Sequence, residues 1–209
     1  MDGVIIPDHP LIQHKLTLLR DKNTARKDFR EIMEELSILM AYEVTRDMTL
    51  KEVKIETPVS MSTGKKIFGE EVVIIAILRA GLGMVSGLLR LLPLARVGHI
   101  GIYREPDTLN PIYYYKKLPV DIKGKDVIIV DPMLATGGTA VAAIEFIKNI
   151  SEAKIKFVCL FAAPEGIKKI KNNFNDITIY TATIDHGLNS NAYIVPGLGD
   201  AGDRLFGTE

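Results

Sequence analysis

Cysteine is almost missing from this chain: one residue in 209, Cys159, which excludes an internal disulfide. It lies in the apolar run 156–163, Lys-Phe-Val-Cys-Leu-Phe-Ala-Ala. Nothing charged flanks it to lower its pKa, so a buried core thiol is expected rather than a nucleophile. Net charge is missing too, because 26 Lys plus Arg balance 26 Asp plus Glu. That argues against a dedicated nucleic-acid binder, which carries a basic excess. No apolar run reaches the roughly 20 residues of a membrane-spanning helix. Met1-Asp2-Gly3-Val4 lacks the basic and apolar regions of a signal peptide. Neither nucleic acid nor membrane is therefore expected as a partner, and the cytoplasm is the expected location. Histidine is scarce, and His9, His14 and His99 form no metal-ligand cluster. His186 stands beside Asp185, but adjacent strand residues face opposite ways and no Ser or Cys nucleophile is placed beside them, so no catalytic pair is expected.

What is present is an ordinary globular mix, 47% hydrophobic and 25% charged, long enough for one domain over 1–209 with a large core. Residues 8–21 read as a first helix, with Asp8 or His9 ahead of Pro10 at its start. Residues 24–46 read as a longer one, with Thr24 as N-cap. Phe29, Ile32, Met33, Leu36, Leu39 and Met40 follow three-four spacing, so these helices (8–46) should pack on the core or on a second subunit and carry no chemistry. Val53–Pro58 reads as extended, without a chemical role. From there, through a core spanning 53–184, strand-like runs at 71–78, 97–104, 127–130, 155–162 and 177–184 alternate with helical ones at 85–92, 139–149 and 164–172. Alternation of this kind implies an α/β fold, a mostly parallel sheet flanked by helices, with ligands gathering beyond the carboxyl ends of the strands. Lys168, Lys169 and Lys171 on the last helix read as a solvated face.

The stretch 125–141, Lys-Asp-Val-Ile-Ile-Val-Asp-Pro-Met-Leu-Ala-Thr-Gly-Gly-Thr-Ala-Val, organises the chain. A buried strand ends at Asp131, and Pro132 turns the chain out of the sheet. The small residues Ala135-Thr136-Gly137-Gly138-Thr139 then lead into a helix. Strand, small-residue loop and helix N-terminus together make an anion site, because unpaired N–H groups and the helix dipole point the same way. A similar strand, turn and helix recurs at Leu78-Arg79-Ala80-Gly81-Leu82-Gly83-Met84, this time with an arginine at the strand's end.

The loop after Asp131 resembles the phosphoribosyl diphosphate (PRPP) loop of type I phosphoribosyltransferases. That family pattern has two adjacent acids, but here the first position is Val130, which is the pattern of the uracil phosphoribosyltransferase branch. The tail at 193–204, Tyr-Ile-Val-Pro-Gly-Leu-Gly-Asp-Ala-Gly-Asp-Arg, resembles that branch's uracil-binding hood, here 185–209. Tyr193, Ile194, Val195, Leu198, Leu205 and Phe206 are its expected apolar anchors.

The resemblance implies the type I phosphoribosyltransferase fold with a flap and a C-terminal hood. It also implies the reaction uracil plus PRPP giving UMP and pyrophosphate, as in pyrimidine salvage. It assigns Arg79 and Arg104 to diphosphate, Asp131 to the ribose hydroxyls and Met133 to Thr139 to the 5′-phosphate, with Pro132 in the same PRPP-binding segment. Asp200 substitutes near PRPP for the missing acid. Tyr193, Ile194, Gly199, Asp200 and Ala201 are assigned to uracil. Mg²⁺ is expected to be held through substrate oxygens with no firm protein ligand. A strained or cis non-proline bond is expected around Arg79 and Ala80. Residues 105–118, with three consecutive tyrosines, read as a polar aromatic hairpin or long loop, a lid over the substrates, an arm to another subunit, or both. A homodimer or homotetramer is expected, and a GTP activator is known in parts of the family, though no motif here matches its site. The alternatives are a phosphoribosyltransferase for another base and a pyrimidine-sensing RNA-binding regulator on the same fold.

Overall fold

A computed structural model of the chain describes residues 3–67, 72–104 and 111–208. Helices α1 (Pro10–Arg20) and α2 (Arg26–Val44) follow the short first strand of the main sheet and precede its other strands. His9 caps α1 by accepting from the Leu11 amide, with Pro10 in the first turn where its missing N–H costs nothing. The cap expected at Thr24 is not there. Ala25 occupies the N-cap of α2, and the Thr24 hydroxyl instead donates to the Leu18 carbonyl at 2.6 Å, tying the turn to the preceding helix.

The main sheet contains β1 (Val4–Ile5), β4 (Val72–Leu78), β5 (Arg96–Arg104), β6 (Pro111–Lys117), β7 (Asp126–Val130), β9 (Lys154–Ala162) and β10 (Thr178–Ile184), in the order β1-β10-β9-β7-β4-β5-β6. Every pairing is parallel except β5 with β6, which matches the mostly parallel sheet expected from the sequence. Helices α3 (Leu82–Leu91), α4 (Gly138–Ile150) and α5 (Pro164–Asn173) follow β4, β7 and β9. The continuous apolar runs arise because both faces of the sheet are covered. In β4, Val72, Ile74 and Ala76 belong to the core under α1, α2 and α3, whereas Val73, Ile75 and Ile77 belong to the one under α4 and α5.

Two local expectations change. Pro132 does end the β7 ladder, but the chain does not leave the sheet: its carbonyl accepts from Leu160 and Phe161, and β8 (Met133–Leu134) pairs with β9. Val53–Pro58 is part of an antiparallel hairpin, β2 (Lys51–Glu56) with β3 (Met61–Lys66). The second strand, Met-Ser-Thr-Gly-Lys-Lys, has no apolar alternation to announce it, and its residues are exposed apart from Gly64. Cys159 is buried, and burial pushes its thiol up to about 12, as suits an inert core residue. Lys156, a charge inside β9, is buried as well. Its ammonium caps α2 by donating to the Val44 carbonyl at 2.7 Å, and it pairs with Asp47.

The segment 105–110 of the expected flap lies outside the described residues. The part that is described, β6, confirms a hairpin with β5. The Tyr113 hydroxyl donates to the Ala142 carbonyl at 2.9 Å, and its ring packs on Phe146, which pins the root of the hairpin to α4.

Candidate active site

Three segments meet beyond the carboxyl ends of β4 and β7. The first is the turn after β4. Its Leu78–Arg79 peptide is cis, within the stretch where such a bond was expected. Arg79 does not hang free. One guanidinium nitrogen donates to Asp203 at 3.0 Å and another to the Thr208 hydroxyl at 3.2 Å, so the arginine assigned to diphosphate bridges to the hood. The sequence offered no sign of these partners, which are more than 120 residues away.

The second segment is the loop after β7. The Asp131 amide donates to the Val158 carbonyl at 3.1 Å, which extends the pairing with β9 by one residue past Val130. The Met133 amide donates to the Asp131 carboxyl at 3.3 Å. Burial pushes this carboxyl up to about 7, and the negative charge of Asp200 adds to the shift while the Met133 amide opposes it. Gly137 is the N-cap of α4 at φ +77, a left-handed conformation that side chains resist. A Cβ there would also stand 2.7 Å from the Gly166 carbonyl oxygen, so the loop lies directly on the backbone of α5. The first helical bond runs from the Val141 amide to the Gly137 carbonyl. The amides before it are left without an intrahelical acceptor, and a small cavity of about 80 Å³ is lined there by Asp131, Ala135, Thr136, Gly137 and Thr139. Gly138 opens α4 beside them. Leu134 also lines this cavity, but its carbonyl is taken by the Ala163 amide just past β9, as that of Pro132 is by β9 itself.

The third segment is the hood, which is ordered. Strands β11 (Gly187–Leu188) and β12 (Ile194–Val195) form a short antiparallel pair, followed by α6 (Ala201–Phe206). Ile194, Leu198, Ala201 and Leu205 are buried in the core. Tyr193, Val195 and Phe206, expected as anchors, are exposed: β12 buries Ile194 and turns Val195 outward, and the short α6 buries Leu205 but not Phe206. Asp200 caps α6 by accepting from the Asp203 amide at 2.9 Å. Gly199 has φ +85, and a Cβ there would meet no atom within 4 Å.

Together these segments enclose a cavity of about 260 Å³. Asp131, Met133 and Ala135 line it from one side, Ala80 from the β4 turn, and Tyr193, Ile194, Gly199, Asp200 and Ala201 from the hood. The structure thus brings the ribose-side and base-side candidates to one space. Ala192 and Gly202 line it too and were missed by sequence reasoning. Ala192 sits at φ +62, and the neighbouring turn is shaped by the Asn189 side chain, which accepts from the amides of Asn191 and Tyr193. Arg104 closes β5, but its side chain lies outside the described residues. Among the described residues no group of three or more His, Cys, Asp or Glu side chains could hold a metal ion by itself.

Comparison with known proteins agrees with this arrangement. The family model described as uracil phosphoribosyltransferase matches residues 6–208. The chain is 60% identical over 209 residues to the uracil phosphoribosyltransferase of Desulfitobacterium hafniense, covering 100% of both chains. To that of Geobacillus kaustophilus it is 59% identical over 209 residues, again covering 100% of both. Among solved structures, the AQ2163 protein from Aquifex aeolicus superposes with a TM-score of 0.93 at 40% identity, covering 99% of each chain. A purine phosphoribosyltransferase from Pyrococcus horikoshii shares the fold alone, with a TM-score of 0.50 at 21% identity over 73% of this chain and 82% of that one. With the motifs in order along the whole chain and the cavity formed where they meet, the chain belongs to the uracil phosphoribosyltransferase family.

Proposed function

We propose that this chain transfers the phosphoribosyl group of PRPP to uracil, giving UMP and pyrophosphate. The observation that carries the reading is the cavity between the loop after β7 and the hood, with Asp131 on one wall and the Ile194 and Gly199–Ala201 backbone on the other. Relatives near 60% identity over the full chain carry the enzyme's name, which favours catalysis over the regulatory alternative.

Displacement at C1′ of the ribose builds positive charge on the ring and negative charge on the departing diphosphate. Residues that hold those charges in place lower the barrier. Arg79, with Arg104, takes the diphosphate. Asp131 binds the ribose hydroxyls and faces the cationic ring. The amides and hydroxyls of 133–139 grip the 5′-phosphate at the start of α4. Uracil presents acceptor, donor, acceptor along O2, N3–H and O4, and the glycine-rich backbone at 194 and 199–201 can answer with N–H, C=O and N–H. Cytosine reverses two of these and would leave buried groups unpaired.

Mg²⁺ fits the donor set. Asp131 and Asp200 are hard oxygen donors lining one cavity, and the upward shift of Asp131 is one that a nearby cation would relieve. Both would share the ion with substrate oxygens, and its charge would help neutralise the diphosphate. Assembly as a homodimer or homotetramer belongs to the same reading, supported by exposed apolar side chains at Leu11, Tyr42, Val59 and Met61; light scattering reads it. GTP activation rests on the family resemblance and is read by adding GTP to the assay. The function itself is tested by pyrophosphate release from PRPP and Mg²⁺ with and without uracil. Release that requires uracil and matches UMP formed is expected; release indifferent to uracil would contradict the reading.

A further inference from the structure

Asp185 follows β10 in the chain and is buried. Its amide donates to the Ala162 carbonyl at 2.8 Å, so its backbone is fixed by the sheet. Its carboxylate faces Arg20, the last residue of α1. One guanidinium nitrogen of Arg20 donates to one carboxylate oxygen at 2.8 Å, and the other nitrogen pairs with the second oxygen. The same pair grips the hood. The Gly197 amide donates to Asp185 at 2.9 Å, and Arg20 donates to the Gly197 carbonyl at 2.9 Å. Both polar groups of one peptide residue are thus held by the two side chains. The guanidinium lies over the Phe161 ring, 4.6 Å from its centroid, which fixes the plane of the fork.

Gly197 is a pivotal place to hold. At φ +56 it turns the chain between Ile194 and Gly199, and a Cβ there would stand 2.2 Å from the Ile194 carbonyl oxygen. The residues on either side of this turn are those that line the hood wall of the cavity. The loop at 133–139 is held by other means, through β9 and the close approach of Gly137 to Gly166.

We propose that Arg20 and Asp185 are positioning residues for the nucleobase: their fork sets the spacing of the Ile194 and Gly199–Ala201 backbone and so the affinity for uracil, without touching either substrate. This rests on the reading of the hood as the uracil site. It also gives α1 a part in the reaction that its sequence, an amphipathic packing helix, does not announce.

Arg20→Lys keeps the charge but cannot make the planar fork and the Gly197 contact at once; Asp185→Asn keeps the shape and removes the charge. Both are compared with wild type by steady-state kinetics and by hydrogen exchange resolved to segments. The expected result is a KM for uracil raised about 10-fold or more, with kcat and the KM for PRPP within about 2-fold. Exchange should be faster in 194–201 and unchanged in 133–139. An unchanged KM for uracil, a parallel rise in both KM values, or an Arg20→Lys protein too unstable to assay would overturn the positioning role. A wild-type protein that makes no UMP would overturn the reading of the reaction and the uracil clause with it. The exchange contrast still judges the latch by itself, since no change from wild type in 194–201, or an equal change in both segments, would refute it.

Discussion

Residues 131–139 take their shape from backbone contacts, within the loop and with β9 and α5 just after it in the chain. A strand ends, a left-handed glycine turns the chain, and a helix begins, with Gly137 lying against the α5 backbone. Residues 185–208 take theirs from side-chain hydrogen bonds that tie them to the N-terminal helices, more than 160 residues away in the chain. Arg20 and Asp185 hold Gly197, Arg204 reaches the carbonyls of Leu19 and Asp21, and Arg30 donates to the Leu205 carbonyl. One half of the cavity is therefore a local structure and the other a tethered one. The difference follows from the ligands assigned to them. A phosphate asks for a fixed cluster of amides at a helix start, whereas a planar base edge asks for a backbone ribbon held at one distance.

The largest expected effect breaks the local half. Gly137→Val meets both an unfavourable φ and the Gly166 backbone, so PRPP binding should vanish and the protein should lose about 2 kcal/mol or more of stability. Calorimetry with PRPP and a thermal melt check this. Asp131→Asn comes next, with turnover expected to fall about 100-fold. The same variant should change how stability depends on pH. The folded-state pKa of Asp131 is about 7 against an ordinary 3.8, so in that window the folded chain keeps a proton that the unfolded chain has lost. The wild type is therefore favoured at low pH and loses stability as pH rises through the window. Without ligands, Asp131→Asn lacks that loss and should melt above wild type at about pH 8, with a smaller gap at about pH 4.

Gly199→Val strikes the tethered half. Its φ of +85 strains any side chain and should cost about 1–3 kcal/mol of stability, but with open space around its Cβ the chain should still fold and bind PRPP while the side chain blocks the base wall, with the KM for uracil rising about 10-fold or more. If PRPP binding fell equally, the two halves would not be separable. The smallest effect is expected for Asp203→Ala, which removes the carboxylate partner of the half-exposed Arg79 and leaves its Thr208 contact. The KM for PRPP should shift by about 2- to 3-fold, because exposed ion pairs contribute little. A loss as large as that of Asp131→Asn would mean that Asp203 acts on the reaction directly.

The same contrast explains what could be read from the sequence. The phosphate loop was legible because its parts are contiguous: the β-branched run, Asp131, and the glycines before a helix. The parallel sheet was legible for a similar reason, since strands covered on both faces leave unbroken apolar runs. The cavity-lining backbone of the hood, by contrast, was reached through family resemblance, and its supports were not reached at all. Arg20 reads as the polar end of an amphipathic helix and Asp185 as half of an idle Asp-His pair, because a contact across 165 residues leaves no local pattern. Half of the apolar anchors expected in the hood are exposed because a two-stranded hairpin and a short helix each pack only one face on the core. The strand at 61–66 went unseen because an exposed hairpin needs no apolar alternation.

Formation of UMP from PRPP and Mg²⁺, measured with uracil, cytosine, hypoxanthine and orotate in parallel and with no base as control, tests the central claim most directly. The account predicts nucleotide from uracil alone. Comparable transfer to another base, or PRPP binding without transfer to any, would contradict it.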